Sequence, residues 1–262
     1  MKSKQKKLIN ILIKLKRVLV AYSGGTDSTL LLAVAVKVLG RDNVLAITAL
    51  SETYPQAEYR RAKNFLRSAG VPHTFLKTDE LSVNNFVKNS KKRCYYCKNE
   101  LFKKLSLIAK KNNMALCDGT NFSDRRDFRP GKMAAKKWGV QSPLLDSGLT
   151  KEEIRQLSKK MKLPTWNLPA QACLASRFPY GAKISKSELR RIDKAETLIR
   201  NAGVNCVRLR HHGDIARLEI GRNEIKRFIN SNNLAAIVGG LKKMGWKFIT
   251  LDIDGYRTGS LN

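Results

Sequence analysis

Val18-Leu-Val-Ala-Tyr-Ser23-Gly24-Gly25-Thr26-Asp27-Ser28, running on into Thr29-Leu-Leu-Leu-Ala-Val-Ala-Val36, decides the fold. An apolar, β-branched run stops at Ser-Gly-Gly and then gives way to a helical pattern without proline. This reads as a buried strand, a tight glycine turn and the first turn of a helix. A turn of this kind can hold phosphate. Two glycines let backbone N–H groups come close to an anion, serine hydroxyls add donors, and the helix N-terminus adds partial positive charge. The commoner phosphate loop, G-x-x-x-x-G-K-[ST], is absent. The plain alternative is a well-capped strand–turn–helix junction, but Ser23, Asp27 and Ser28 place three hydroxyl or carboxylate groups around two glycines.

The same rhythm continues downstream. A strand is expected over 17–22 and a helix over 27–39, stopped by Gly40. A second strand runs from Val44 to Leu50, a helix from Pro55 to about Ala69, and a third strand from His73 to Lys77. Residues 79–97 break the pattern. A helix over 98–112 and a compact strand over 114–118 follow. Strands alternating with helices at this spacing imply a parallel, doubly wound α/β sheet. Such sheets bind ligands at the C-terminal ends of their strands. The Ser23 turn lies at that edge. So do Ser51-Glu-Thr-Tyr, which can line an adenine or ribose pocket, and Gly119-Thr120-Asn121. Asp124, Asp127 and Arg129 come next, where capping and turn formation are the plain roles for the two carboxylates. Thr150-Lys-Glu-Glu153 is a capping box opening a further helix.

Ahead of the first strand, residues 3–16 form a basic amphipathic helix, with its apolar side expected on the sheet edge. Leu163 to Gly181 has three prolines and little periodicity. It is too apolar for a free linker and is expected to fold over the nucleotide site and join the two halves. Beyond it, Ser185-Lys-Ser-Glu188 opens a helix over 186–202. Strands over 205–211 and 215–220 flank Gly213-Asp214 as a hairpin. A helical stretch and a last strand over 247–252 complete an α-β-β-α-β unit. The expected division is 1–182 for the nucleotide domain and 183–262 for a smaller α+β domain whose sheet is partly antiparallel.

Composition excludes some functions. Of 262 residues 42% are hydrophobic, normal for a globular protein. No apolar run approaches the ~20 residues that span a bilayer. Lys14 and Lys16 interrupt the N-terminal apolar stretch before a secretion signal forms, so a cytoplasmic location is expected. The net charge of +30 suits an anionic partner. Yet the basic pairs are scattered, from Lys6-Lys7 to Lys242-Lys243, and no aromatics interleave with them. A nucleic-acid stripe would concentrate the charge, so nucleic acid is not favoured.

Five cysteines, Cys94, Cys97, Cys117, Cys173 and Cys206, argue by their odd number against a disulfide framework. Cys94-Tyr-Tyr-Cys97 alone suits half a zinc site, a redox pair or part of an iron–sulfur site. No second C-x-x-C completes a zinc site. Three thiolates can hold three irons of a four-iron cluster, and Cys173 is the best third candidate. Cys173 also has a case as a nucleophile, with Arg177 four residues on to favour its thiolate. Cys117 and Cys206 lie in apolar strands and read as packed residues. In Val207-Arg208-Leu-Arg210, strand alternation puts two guanidinium groups on one face, suited to a phosphate or simply to a solvated face. Arg257 is a further anion ligand candidate.

Taken together, Ser23-Gly-Gly-Thr-Asp-Ser28, Arg93-Cys-Tyr-Tyr-Cys-Lys98, Asp118-Gly-Thr-Asn121, Asp127-Phe-Arg-Pro-Gly131, Ser142-Pro-Leu-Leu145, Leu163-Pro-Thr-Trp-Asn167, Ala172-Cys-Leu-Ala-Ser-Arg177, Val207-Arg-Leu-Arg-His-His-Gly-Asp-Ile-Ala-Arg-Leu-Glu219 and Gly255-Tyr-Arg-Thr-Gly-Ser-Leu-Asn262 stand in order. The loop resembles that of the ATP pyrophosphatases, which split ATP between the α and β phosphates. The whole set resembles the LarE-type ATP-dependent sulfur transferases, from about residue 8 onward. That resemblance implies adenylation of the carboxylates of pyridinium-3,5-biscarboxylic acid mononucleotide and their conversion to thiocarboxylates for the nickel-pincer nucleotide cofactor. It implies ATP and Mg²⁺ as cofactors, with Ser23, Gly24, Gly25, Asp27, Ser28, Ser51, Gly119 and Thr120 at the nucleotide and Asp27 on the Mg²⁺ side. It implies Ser176, Arg177, Glu196, Arg208, Arg210 and Arg257 at the substrate. In one branch the cysteine matching Cys173 gives up its sulfur and becomes dehydroalanine. In another, Cys94, Cys97 and Cys173 bind a [4Fe–4S] cluster that carries the sulfide. All three cysteines are present, so the cluster-bearing branch is expected, with a small-molecule substrate, a sulfide source that the sequence does not name and a homo-oligomeric assembly. The main rival is a tRNA thiolase, which shares the loop and in some cases the cysteines. An amidotransferase or NAD synthetase-like enzyme shares the loop but gives no reason for the three cysteines.

Overall fold

The structure is a computed structural model in which residues 1–126, 130–169 and 172–257 are described. By contacts the chain forms two units. The first comprises Met1–Ser51, Glu58–Glu80 and Lys92–Gln171, and the second Glu52–Ala57, Leu81–Lys91 and Ala172–Asn262. Helical and strand elements are α1 (Lys2–Leu15), β1 (Val18–Ala21), α2 (Thr26–Leu39), β2 (Val44–Leu50), α3 (Gln56–Ala69), β3 (His73–Lys77), α4 (Asn84–Val87), α5 (Arg93–Lys111), β4 (Ala115–Cys117), α6 (Gly131–Lys137), α7 (Pro143–Asp146), α8 (Lys151–Lys160), α9 (Lys186–Asn201), β5 (Val207–His212), β6 (Ile215–Ile220), α10 (Ile225–Ile229), α11 (Leu234–Lys243) and β7 (Phe248–Leu251).

The first unit is the expected parallel α/β sheet, in the order β3-β2-β1-β4. Strand alternation distributes β1 between two cores. Val18 and Val20 are buried with Leu30, Leu31, Ala35 and Leu8 on one face. Leu19 is buried with Leu101, Phe102 and Leu105 on the other. Helices therefore cover both faces, which is why the strands read as continuous apolar runs. The chain leaves β1 toward β2 and β3, then returns to place β4 on the other side of β1. The loops after β1 and β4 consequently flank the point where the strand order reverses, the usual ligand crevice of such a sheet.

Two local expectations change. Helix α1 does not line the sheet edge. Its Leu8 and Leu12 are fully buried in the helical layer against α2 and α7, and Lys4 pairs with Glu153 of α8 at 2.8 Å. Helix α5 begins at Arg93 rather than Lys98, taking Cys94 and Cys97 into its first two turns. Its N-cap is Lys92, with no capping side chain, so the sequence carried no start signal there. The Thr150–Glu153 capping box forms in full, with both reciprocal bonds present.

In the second unit β5 and β6 form the expected antiparallel hairpin, and β7 joins β6 in parallel. Helix α9 turns Leu189, Ile192, Ala195 and Ile199 inward as one buried stripe, the periodicity of an amphipathic helix. Glu196 lies on that same stripe and is fully buried. Among the described residues, no helix is long and apolar enough to cross a membrane.

Candidate active site

In the first unit the turn after β1 is built from its own side chains. Gly24 has φ +73°, a conformation that side-chain-bearing residues adopt only with strain. The Ser23 and Ser28 hydroxyls lie 3.1 Å apart, and the Gly25 N–H points to Ser23 Oγ at 3.4 Å. Helix α2 starts at N-cap Gly25 with no capping side chain, so its first N–H groups face the turn, where an anion would be favoured. The strand-end loop after β4 closes against it. A Cβ built on Gly119 would stand 3.0 Å from Ser28 N and 3.2 Å from Ser28 Cα, so a glycine is needed for that approach. Asp118 braces this second loop by accepting from Thr120 Oγ1 at 2.7 Å and Ser142 Oγ at 2.8 Å. Asp124 accepts from the Asn121 N–H at 3.1 Å, the turn role expected of it. The start of the long loop lies on the same helix end, where Thr26 Oγ1 donates to the Thr165 carbonyl at 2.7 Å. Asp127 and Arg129 lie outside the described residues, as does the stretch 258–262.

Asp27, the residue expected on the metal side, faces a cation from its own chain. Lys151 Nζ lies 2.7 Å from both carboxylate oxygens, and Asn121 Nδ2 donates to Asp27 Oδ2 at 3.3 Å. Sequence reasoning missed Lys151. It sits in the capping-box helix among 51 Lys and Arg residues, and nothing in its spacing set it apart.

Cys94 and Cys97 stand one turn apart on α5, Cys94 exposed and Cys97 half-buried. Cys97 Sγ lies 3.8 Å from Glu80 Oε1. Cys117 is buried, and burial pushes its thiol up to about 12, which fits the packed role expected of it. Burial also raises the Cys206 thiol. Among the described residues no three His, Cys, Asp or Glu side chains form a metal-holding group.

The second unit gathers most of the other candidates into one buried network. Cys173 is exposed, but its carbonyl is held by Ser176 N at 2.9 Å, Ser176 Oγ at 2.8 Å and Arg177 at 3.1 Å. Arg177 also donates to the Ala172 carbonyl at 2.6 Å. Its other side forks onto Glu196 at 2.9 and 3.1 Å. Glu196 accepts as well from Arg200 at 2.6 Å and from the Leu209 N–H on edge strand β5 at 3.0 Å. Although burial alone would raise its carboxyl, Arg177, Arg208 and Arg200 hold it down to about 2.

Arg208 and Arg210 project from one face of β5, and the antiparallel register sets Glu219 and Arg217 opposite them. Both arginines are 5% exposed, so this is no solvated face. Arg210 bonds Glu219 at 2.7 Å and the Ser176 carbonyl at 2.9 Å. Arg208 stacks over the Tyr256 ring at 5.2 Å. Burial and the adjacent Arg177 both pull its guanidinium down, yet an arginine stays charged near neutrality. Four carboxylates, Glu196, Glu219, Asp252 and Asp193, thus lie among Arg177, Arg200, Arg208, Arg210 and Arg217, leaving one arginine in surplus, suited to a phosphate. Arg257 is half-exposed and pairs with Asp254 at 2.9 Å. Among the described residues it reaches the cluster through Asp252, which Arg217 contacts at 3.4 Å. The segment after Ser51 joins this unit through the Thr53 carbonyl, which accepts from Leu174 N at 2.9 Å, and through Glu52, which pairs with Arg190 at 3.1 Å.

The doubly wound sheet and its uncapped Ser-Gly-Gly turn define an ATP-dependent enzyme of the ATP pyrophosphatase class, and the NAD synthase family model matches residues 12–119. Full-length comparison is narrower. The chain is 35% identical, over 99% of its length and 94% of the relative, to a pyridinium-3,5-bisthiocarboxylic acid mononucleotide synthase of Lactiplantibacillus plantarum. It is 40% identical, over its whole length and 98% of the relative, to an uncharacterized protein of Synechocystis. A third relative, an uncharacterized protein of Methanocaldococcus jannaschii, is 28% identical over 94% of this chain and 92% of its own. This chain belongs to the family of LarE-type ATP-dependent sulfur transferases.

Proposed function

We propose that this protein adenylates the carboxylates of pyridinium-3,5-biscarboxylic acid mononucleotide and converts them to thiocarboxylates for nickel-pincer nucleotide synthesis. The observation that carries this reading is Arg177. One guanidinium grips the backbone of exposed Cys173 and, on its other side, the buried Glu196 beside Arg208. A sulfur-bearing loop and an anion-binding cluster are thereby one hydrogen-bonded assembly.

The chemistry divides into two displacements. A substrate carboxylate oxygen bonds to the α-phosphorus of ATP, and the Pα–O bond to the β-phosphate breaks with its electron pair leaving on pyrophosphate. Sulfur then attacks the acyl carbon, and AMP leaves with the former carboxylate oxygen. The N–H groups of Gly25 and the α2 terminus, with the Ser23 and Ser28 hydroxyls, would donate to phosphate oxygens. Asp27 fits a Mg²⁺ ligand because its carboxylate already draws a cation. Bound there, Mg²⁺ would neutralise the departing charge. Arg208 and Arg210 hold the nucleotide's phosphate.

For the sulfur we propose that Cys94, Cys97 and Cys173 would hold a [4Fe–4S] cluster, which would supply the sulfide. Donor chemistry supports it, since two thiols share one face of the first two turns of α5 and the third is exposed. Direct sacrifice of Cys173 is the second reading, supported by its exposed side chain four residues from Arg177. The first test is AMP release that depends on the pyridinium nucleotide. Arg208→Ala or Arg210→Ala should raise the KM for that nucleotide about tenfold or more, as expected for loss of a charged hydrogen bond. AMP release driven by tRNA and indifferent to the pyridinium nucleotide would overturn the assignment.

A further inference from the structure

The β5–β6 hairpin carries two ring and guanidinium nitrogens that the network of ion pairs leaves unused. Strand alternation puts His212 on the same face of β5 as Arg208 and Arg210. Across the hairpin Ile215 stands opposite His212 and Arg217 opposite Arg210, so His212 and Arg217 are diagonal neighbours on one face. Glu219 and Asp252 take the two amino groups of Arg217, at 3.3 and 3.4 Å. Nε of Arg217 and Nε2 of His212 are closed to solvent and make no hydrogen bond among the described residues. Buried nitrogens left in this state cost stability and call for a partner. Burial, Arg217 and Arg210 lower the proton affinity of His212, outweighing Glu219, a balance that a bound anion would relieve. Beside the pair the surface turns apolar. Ile215 is 38% exposed, and Phe248, in register with it on β7, is 59% exposed.

We propose that His212 and Arg217 form a second oxyanion site on this hairpin, which takes a ring carboxylate of the substrate nucleotide while Arg208 and Arg210 take its phosphate. This rests on the mononucleotide reading given above. A neutral imidazole with its proton on Nε2 donates from there, and the guanidinium donates from Nε, so one carboxylate satisfies both nitrogens. Glu219 and Asp252 hold the guanidinium plane, so the ligand meets a fixed donor. Ile215 and Phe248 favour an anion borne on a flat ring over a free phosphate, since only the ring covers apolar surface. A pyridinium with two carboxylates has one to bind while the other reacts. His212 and Arg217 are therefore specificity residues: they distinguish a ring carboxylate from an uncharged amide of the same size.

The test is calorimetric binding of two probes to the full chain: nicotinic acid mononucleotide, which has a ring carboxylate, and nicotinamide mononucleotide, which has an amide in its place. The wild type should bind the acid about tenfold more tightly than the amide, the effect of a charged hydrogen bond. His212→Leu should cut that ratio about tenfold while the amide keeps its affinity, which also shows that the hairpin is intact. Arg217→Met should cut the ratio as well, on top of any change common to both nucleotides. His212→Gln, whose amide N–H lies near the place of Nε2, should recover part of it. An unchanged ratio in His212→Leu overturns the proposal. With both affinities kept, a buried water is the partner of the two nitrogens; with both weakened alike, the pair reads the phosphate. A wild type that binds acid and amide alike also overturns it, and in each of these cases the substrate reading stands. A wild type that binds neither nucleotide overturns the substrate reading along with the site.

Discussion

Arg177 and Glu196 form a two-bond ion pair at 2.9 and 3.1 Å with neither side chain exposed to solvent. The pair joins the Cys173 loop to α9, and through Glu196 it also satisfies the Leu209 N–H of edge strand β5. Two elements of the second unit therefore depend on one carboxylate.

Arg177→Met removes the fork and leaves Glu196 buried with Arg200 as its remaining close side-chain partner. The expected loss is about 3–5 kcal/mol, the range for breaking a buried pair by deleting one member. Urea unfolding measures it. Arg177→Lys retains a charge but not the planar fork, so it should recover only part of that loss.

Glu196 also makes stability depend on acid. Its carboxyl is held at about 2 against an ordinary value of 4.5. A lowered folded pKa contributes stability that is present above the unfolded pKa and is lost as pH falls through the folded one. That contribution, of order 3 kcal/mol, should disappear between pH 4.5 and 2. The urea midpoint of the wild type should fall across that window more steeply than that of Glu196→Gln. Parallel profiles would remove Glu196 as the cause.

Gly119→Ala tests the approach of the two loops. The new Cβ would lie 3.0 Å from Ser28 N, a backbone atom that cannot swing aside. The α2 terminus must shift, and affinity for ATP should fall about tenfold or more. Equilibrium binding of the nucleotide checks this without turnover.

Much of this arrangement was legible in the sequence, because short-range rules settle it. The β1 turn, the parallel strands and the Thr150 capping box each show in local spacing. The early start of α5 was not legible, since Lys92 is no capping residue and Cys-Tyr-Tyr-Cys has weak helical preference. The burial of Arg208 and Arg210 was also hidden. Alternation serves a solvated face equally well, and the answer came from Glu219 across the hairpin and Ser176 from a distant loop. Glu196 left a trace, as a carboxylate in register with Leu189, Ile192 and Ile199. Lys151 left none, because its partner is 124 residues away.

The cysteines should separate cleanly. Cys173→Ala should abolish sulfur transfer. Cys117→Ala should leave it intact, because a thiol pushed to about 12 is not a thiolate at neutral pH, and should cost only about 1 kcal/mol of stability. After anaerobic reconstitution, absorption near ~400 nm, the region of thiolate-bound iron–sulfur centres, should be lost in each of Cys94→Ala, Cys97→Ala and Cys173→Ala. A cluster retained in Cys173→Ala would exclude this ligand set.

The most direct measurement is mass spectrometry of a reaction containing the protein, MgATP, pyridinium-3,5-biscarboxylic acid mononucleotide and sulfide, read for both product and intact protein. The account predicts a product with carboxylate oxygen replaced by sulfur, one AMP and one pyrophosphate per sulfur, and a protein mass unchanged after turnover. Loss of H₂S from the protein with each sulfur delivered would replace the cluster by sacrifice of Cys173. AMP and pyrophosphate released with no sulfur in the product would contradict the central claim.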